Sequence, residues 1–252
     1  MERIANATVT ALKAGPVYTI LELCQPEMAS DACPGQFLHI KCEGFSLRRP
    51  ISIAGVTGDR LTLVFETKGG GTIWLSQRRP GDILDVLGPL GNGFPAESGP
   101  CLLVGGGVGV PPMRFCAQRF SGCDAVLAFR SSDRALLTED MDALCGEAMV
   151  MTDDGSLGTK GFAAQGVAAM LAKKAYSAVF ACGPKIMLKT TVEACRKAGV
   201  PCWVSLEERM GCGLGACLTC ATPIRSEDGT TLMQEVCKDG PVFRGEEVIW
   251  DV

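Results

Sequence analysis

Histidine is almost missing from this chain: His39 is the only one in 252 residues. Zinc sites usually pair cysteine knuckles or add histidines, and this single imidazole stands far upstream of the densest cysteine stretch. Long apolar runs are missing as well. None reaches the roughly 18 residues that a bilayer-spanning helix requires, so no membrane segment is expected. An excess of positive charge is also lacking. The 24 Lys and Arg face 28 Asp and Glu, and the net charge of −4 argues against a nucleic-acid surface. The opening residues, Met1-Glu-Arg-Ile-Ala-Asn, lack the charged-then-apolar shape of a signal peptide. A cytoplasmic chain is expected.

Cysteine, by contrast, is abundant, with 14 residues. In a small secreted chain that would suggest a disulfide framework. This chain is long, 47% hydrophobic and without a leader, so free thiols in a reducing compartment are the better expectation. Four thiols form one pattern: Cys212-Gly-Leu-Gly-Ala-Cys217-Leu-Thr-Cys220, then sixteen residues, then Cys237. C-x4-C-x2-C with a distant fourth cysteine is the plant-type spacing for a [2Fe–2S] cluster. The cluster is compact, so three ligands must come from one tight loop. Gly211, Gly213, Gly215 and Ala216 leave room for that loop and let backbone N–H groups point at sulfur. A disulfide pair and a zinc site are the alternatives at this stage. Most of the other ten cysteines, among them Cys101, Cys116, Cys195 and Cys202, sit in apolar settings and read as small buried hydrophobes.

The N-terminal part reads as short alternating strands: Val17–Leu23, Gln36–Cys42, Leu61–Thr67 and Ile83–Leu87, with turns at Asp59-Arg60 and Pro80-Gly-Asp82. A small antiparallel barrel follows, with His39 as a half-buried strand residue. Two stretches there carry possible chemistry. Arg48-Arg49-Pro50-Ile51-Ser52 sets a cation, a rigid turn and a hydroxyl together, a composition suited to a diphosphate and a flavin ring. Lys68-Gly-Gly-Gly71-Thr72 leads glycines into a helix start, an arrangement that receives anions, although on these residues alone a plain flexible turn is the favoured reading.

From Pro100 the pattern turns to alternating strands and helices. Strands are expected from Cys101, at 125–130, 148–152 and 178–182, and helices at 111–121, 160–174 and 184–198. That is a doubly wound parallel sheet. Gly105, Gly106, Gly107 and Gly109 follow the first strand without the strict G-x-G-x-x-G spacing, yet still let backbone approach a pyrophosphate. Ala181-Cys182-Gly183-Pro184 ends another strand, where ligands of such sheets bind, and so sets Cys182 toward a nicotinamide. Arg130-Ser131-Ser132 stands where an acidic ribose clamp is usual, leaving NAD and NADP both open. A hairpin is expected from Ala221 to about Val236.

Leu206-Glu-Glu-Arg-Met-Gly-Cys-Gly-Leu-Gly-Ala-Cys-Leu-Thr-Cys, with Val236-Cys-Lys-Asp-Gly-Pro-Val-Phe, closely resembles the electron-transfer subunits of type B dihydroorotate dehydrogenase. The resemblance runs the length of the chain. It implies a ferredoxin-reductase-like module: a flavin barrel at 1–98, a nicotinamide domain at 99–203 and a [2Fe–2S] domain at 204–252. It further implies FAD contacts from Arg49, Pro50, Ile51, Ser52, Val64, Phe65, Glu66, Gly71 and Thr72. NAD contacts are implied at the four glycines and at Cys182, Gly183 and Pro184, with Cys182 on the nicotinamide side of the catalytic site. Cluster ligation falls to Cys212, Cys217, Cys220 and Cys237. The family often has Tyr-Arg where Phe65-Glu66 stands, so one basic group near the flavin is missing here. The implied partner is an FMN-containing dihydroorotate dehydrogenase catalytic subunit in a two-plus-two heterotetramer. Nothing in the chain resembles a dihydroorotate pocket. A flavin and iron–sulfur subunit of a hydrogenase, or of an NADH-dependent ferredoxin:NADP+ oxidoreductase, is the alternative; the Lys-Asp-Gly-Pro-Val-Phe ending weighs against it.

Overall fold

The computed structural model describes residues 3–250. Apolar and polar residues alternate along the first strands, and that period of two curls them into a closed antiparallel barrel. Strands β1 (Arg3–Ala14), β2 (Tyr18–Cys24), β3 (Phe37–Ile40), β4 (Arg49–Thr57), β5 (Arg60–Glu66) and β6 (Ile83–Leu90) close in the order β1-β2-β5-β4-β3-β6. On β2, Thr19, Leu21 and Leu23 are wholly buried, whereas the residues between them are half-buried. Leu38, Ile40, Ile53, Leu61, Leu63 and Phe65 complete the same core. Two short helices, α1 (Pro26–Asp31) and α2 (Gly70–Ser76), lie between barrel strands.

Apart from one two-residue polar edge strand, the following strands are largely apolar, as strands covered on both faces must be. They are β7 (Cys101–Gly106), β8 (Asp124–Phe129), β9 (Ala148–Thr152), β10 (Thr159–Lys160), β11 (Ala178–Cys182) and β12 (Cys202–Ser205). Helices α3 (Val110–Arg119), α4 (Thr138–Leu144), α5 (Ala163–Lys173) and α6 (Lys185–Ala198) connect them. The sheet order is β10-β9-β8-β7-β11-β12, all parallel. The helix expected from residue 160 starts at Ala163, because Thr159 and Lys160 pair with β9 as a short edge strand.

Helix α3 joins the two layers. Phe115 is wholly buried among barrel residues. Gln118 donates through Nε2 to the Val56 carbonyl at 2.6 Å and accepts at Oε1 from the Val56 N–H at 3.0 Å. A side-chain amide thus takes the place of a strand partner close to the register shift between Ile53 and Gly55.

The C-terminal segment forms the expected hairpin, β13 (Ala221–Arg225) with β14 (Thr231–Glu235). It then returns as β15 (Val242–Arg244), which pairs antiparallel with β12 as the seventh strand of the sheet. The boundary expected at 203/204 falls inside β12. The last segment is hydrogen-bonded into the sheet.

Candidate functional site

The cluster loop turns by left-handed backbone at Gly213 and Gly215, both φ 77°, and at Leu218, φ 57°. That path aims amides at sulfur. Leu214 and Ala216 each donate an N–H to Cys212 Sγ at 3.3 Å, Gly215 donates to Cys237 Sγ at 3.2 Å, and Cys237 donates to Cys220 Sγ at 3.4 Å. Hydrogen bonds of this kind hold charged sulfur. Cys217, which is exposed, is held down to about 6, first by the Thr219 hydroxyl and backbone and then by Cys212. Burial, aided by the neighbouring Cys220 thiol, pushes Cys237 up to about 12.

The four thiols therefore gather as two pairs, Cys212 with Cys217 and Cys220 with Cys237. A two-iron cluster takes two thiolates at each iron, and this donor set fits it. All 14 cysteines are free thiols, so the disulfide alternative is not realised. Among the described residues, no three or more His, Cys, Asp or Glu side chains are set to hold one metal ion.

The two arginines before β4 part company. Arg48 pairs with Asp85 at 2.8 Å and donates to the His39 carbonyl at 3.3 Å, bracing β3 against β6. Arg49 donates to the Leu47 carbonyl at 2.6 Å, covers the Phe45 ring at 5.2 Å and lies against Gly71. Among the described residues no carboxylate pairs with Arg49, so its charge is available to an anion at α2. The Thr72 hydroxyl accepts from the Lys68 and Gly69 amides and donates to the Gly69 carbonyl, which closes the turn into that helix. Pro50 and Ser52 lie half-buried on β4, while Ile51 belongs to the barrel core. Val64 packs into the cluster joining barrel to sheet, and Phe65 packs into the barrel. Only backbone from these two is left to face a bound group.

The two nicotinamide motifs converge. Strands β7 and β11 are neighbours on opposite sides of the reversal in strand order, the point where ligands of doubly wound sheets bind. Gly109 must be glycine there, because a Cβ would collide with the Cys182 carbonyl. Likewise a Cβ on Gly106 would meet Pro184 Cδ at 3.0 Å. Gly107 takes a left-handed φ of 53° between them. The Cys182 thiol is 2% exposed, and burial, with the Glu207 charge adding to it, pushes its pKa well up. It stays a neutral thiol.

The family model for the iron–sulfur cluster binding domain of dihydroorotate dehydrogenase B matches residues 207–249, which contain all four cysteines. The dihydroorotate dehydrogenase B (NAD(+)) electron transfer subunit of Caldanaerobacter subterraneus is 42% identical over 219 residues, covering 86% of this chain and 87% of its own length. That of Desulforamulus reducens is 37% identical over the whole of both chains. This chain belongs to that family.

Among solved structures, an NADH-dependent reduced ferredoxin–NADP oxidoreductase aligns with a TM-score of 0.85 and 32% identity, covering 98% of this chain and 91% of that one. A ferredoxin reductase of carbazole 1,9a-dioxygenase, at 22% identity and a TM-score of 0.65 over 79% of this chain and 67% of its own, shares the fold.

Glu66 stands where the resemblance leads one to expect an arginine, and cations answer its charge from two directions. Lys68 Nζ lies at 2.6 Å, and Arg134, from the turn after β8, at 3.1 Å. Two further residues escape sequence reasoning. Glu207, two residues past the end of β12, is exposed at the surface, yet desolvation by its surroundings raises its pKa and the Lys68 charge opposes the rise. His39 is not half-buried as expected but wholly buried. Burial and the Arg48 charge hold it down to about 4, although the Cys212 and Arg48 carbonyls lie near enough to favour its proton. Neither ring nitrogen closes a hydrogen bond. Its rarity was the one signal available in the sequence.

Proposed function

We propose that the chain is the electron-transfer subunit of a dihydroorotate dehydrogenase B, working with an FMN-containing subunit that oxidises dihydroorotate to orotate in pyrimidine synthesis. When bound, the [2Fe–2S] cluster carries single electrons and FAD exchanges them for the hydride that NAD+ accepts. The observation that carries this reading is the set of four paired thiols under donated amides, in a chain 42% identical to named electron-transfer subunits.

Cys212, Cys217, Cys220 and Cys237 hold the cluster. Arg49, with no carboxylate of its own, and the Gly71 backbone hold the FAD diphosphate, while Thr72 fixes the turn that presents Gly71. The backbone of Pro50, Ile51 and Ser52, and that of Val64, Phe65 and Glu66, offers hydrogen bonds to the flavin ring. Gly105, Gly106, Gly107 and Gly109 meet Cys182, Gly183 and Pro184 at one point, and there the backbone admits NAD. Cys182, a buried neutral thiol, lines the nicotinamide side without acting as a nucleophile. A two-plus-two assembly in the cytoplasm and the division at 1–98, 99–203 and 204–252 belong to the same reading. No helix among the described residues is long and apolar enough to cross a membrane.

The solved NADH-dependent ferredoxin–NADP oxidoreductase supports a second reading, in which the partner handles ferredoxin instead. The higher identity to dihydroorotate dehydrogenase B subunits and the matched C-terminal domain favour the first. Co-purification separates them. A partner with FMN that oxidises dihydroorotate supports the first; a partner reducing NADP+ from ferredoxin replaces it. A purified chain that is colourless, without flavin bands or a reddish cluster shoulder, overturns both.

A further inference from the structure

The one histidine of the chain stands between the two candidate cofactor sites. On β3, Leu38 and Ile40 point into the barrel, so Phe37 and His39 share the other face. Phe37 and His39 lie opposite Ser52 and Pro50 of the flavin strand, at the ~5 Å Cβ separation of directly opposed residues. On its far side His39 meets the cluster loop. A Cβ added to Gly213 would come within 2.6 Å of Nδ1 and 3.3 Å of Cε1. Gly213 directly follows the ligand Cys212. The imidazole is fully buried with both nitrogens unpartnered. A neutral imidazole carries one donor and one acceptor, and folded proteins rarely leave both unused. The Arg48 and Cys212 carbonyls lie near the ring without closing a hydrogen bond, and Cys212, one residue before Gly213, is itself a cluster ligand.

We propose that His39 donates a ring N–H to the sulfur of the [2Fe–2S] centre, and that its ring bridges the gap from that centre to the flavin strand at Pro50. The inference rests on the cluster reading above. His39 is a positioning residue: it contacts neither dihydroorotate nor NAD, and sets the potential and seating of the cluster. An N–H donor to cluster sulfur favours the reduced, more negative state, so it raises the potential.

A single histidine makes the test direct. The holoprotein, with cluster and flavin in place, is prepared from [15N]histidine and reduced, and the cluster is examined by pulsed EPR. Any histidine 15N coupling can come only from His39. A resolved coupling is expected. A normal [2Fe–2S] signal without histidine coupling overturns the inference while leaving the cluster reading intact. Absence of a [2Fe–2S] signal overturns both. Potentiometric titration gives the second readout. His39→Leu lowers the cluster midpoint and leaves the FAD midpoint in place, whereas His39→Gln, which keeps a donor, recovers part of the shift. Equal cluster potentials in all three proteins overturn the inference.

Discussion

Arg134 reaches Glu66 across the junction of sheet and barrel, Nη1 to Oε1 at 3.1 Å, and Tyr18 donates its hydroxyl to the Arg134 carbonyl at 3.1 Å. The positive charge that the resemblance leads one to expect on the barrel strand arrives here from the sheet. With the two side chains 44% and 19% exposed, the pair itself contributes about 1 kcal/mol at most. Placing an arginine at position 66 alone is therefore expected to do harm. Glu66→Arg sets its guanidinium beside Arg134 and Lys68, lowering the melting temperature by a few degrees at low salt and less at high salt. Adding Arg134→Glu recovers the loss. Thermal melts at two ionic strengths check this, and a single variant as stable as wild type at low salt contradicts it.

Helix α3 is the weld between the layers. Phe115→Ala opens a cavity in a fully buried position and is expected to cost about 3–5 kcal/mol. Gln118→Ala leaves the Val56 amide and carbonyl without their partner and costs roughly 1 kcal/mol. Urea midpoints measure both, and the order of the two losses is the point at issue.

Much of this was legible in the chain and some of it was not. The barrel strands follow from alternation, as at Leu21 and Leu23, and the parallel sheet from continuous runs such as Cys101–Val104. The cysteine spacing named its own chemistry. What a local pattern cannot carry is long-range pairing. Nothing in Val242-Phe-Arg announces that it pairs with Trp203, Val204 and Ser205, some forty residues earlier. Arg48 and Arg49 look alike in sequence, yet Asp85, on a strand far downstream, removes one of them from ligand binding. His39 sits among alternating residues that suggest half-burial, but the cluster loop covers its outer face.

That cover depends on Gly213. Gly213→Ala meets His39 at 2.6 Å in a left-handed backbone at φ 77°, so it strains both loop and barrel. Gly229 has a similar φ of 85° but open space around it. Gly213→Ala is expected to lose most of its bound iron, whereas Gly229→Ala keeps it and loses only about 1 kcal/mol of stability. Iron-to-protein ratios decide the matter; equal iron in the two variants speaks against it.

Acid sensitivity has an identifiable source. Asp124, almost fully buried, accepts from Lys174 Nζ at 2.6 Å and Tyr176 OH at 2.8 Å. Burial raises its pKa, but the two donors outweigh that and hold it below 3.8. A carboxyl lowered in the folded state contributes stability above its unfolded pKa and loses it as pH falls through the folded one. Tyr176→Phe removes one donor, so less stability should depend on Asp124 ionisation. Between about pH 5 and pH 3 the wild type should lose more stability than the variant. Parallel acid limbs count against this.

The central claim is that this chain takes electrons from a dihydroorotate-oxidising FMN subunit and delivers them to NAD+. It is tested most directly by anaerobic assay of the two subunits, alone and combined, following NADH formation from dihydroorotate and NAD+. The expected result is NADH formation only in the combination, with this chain alone oxidising NADH through artificial acceptors but inert toward dihydroorotate. An FMN subunit that reduces NAD+ equally well without this chain, or a stable complex that oxidises dihydroorotate and forms no NADH, would contradict it.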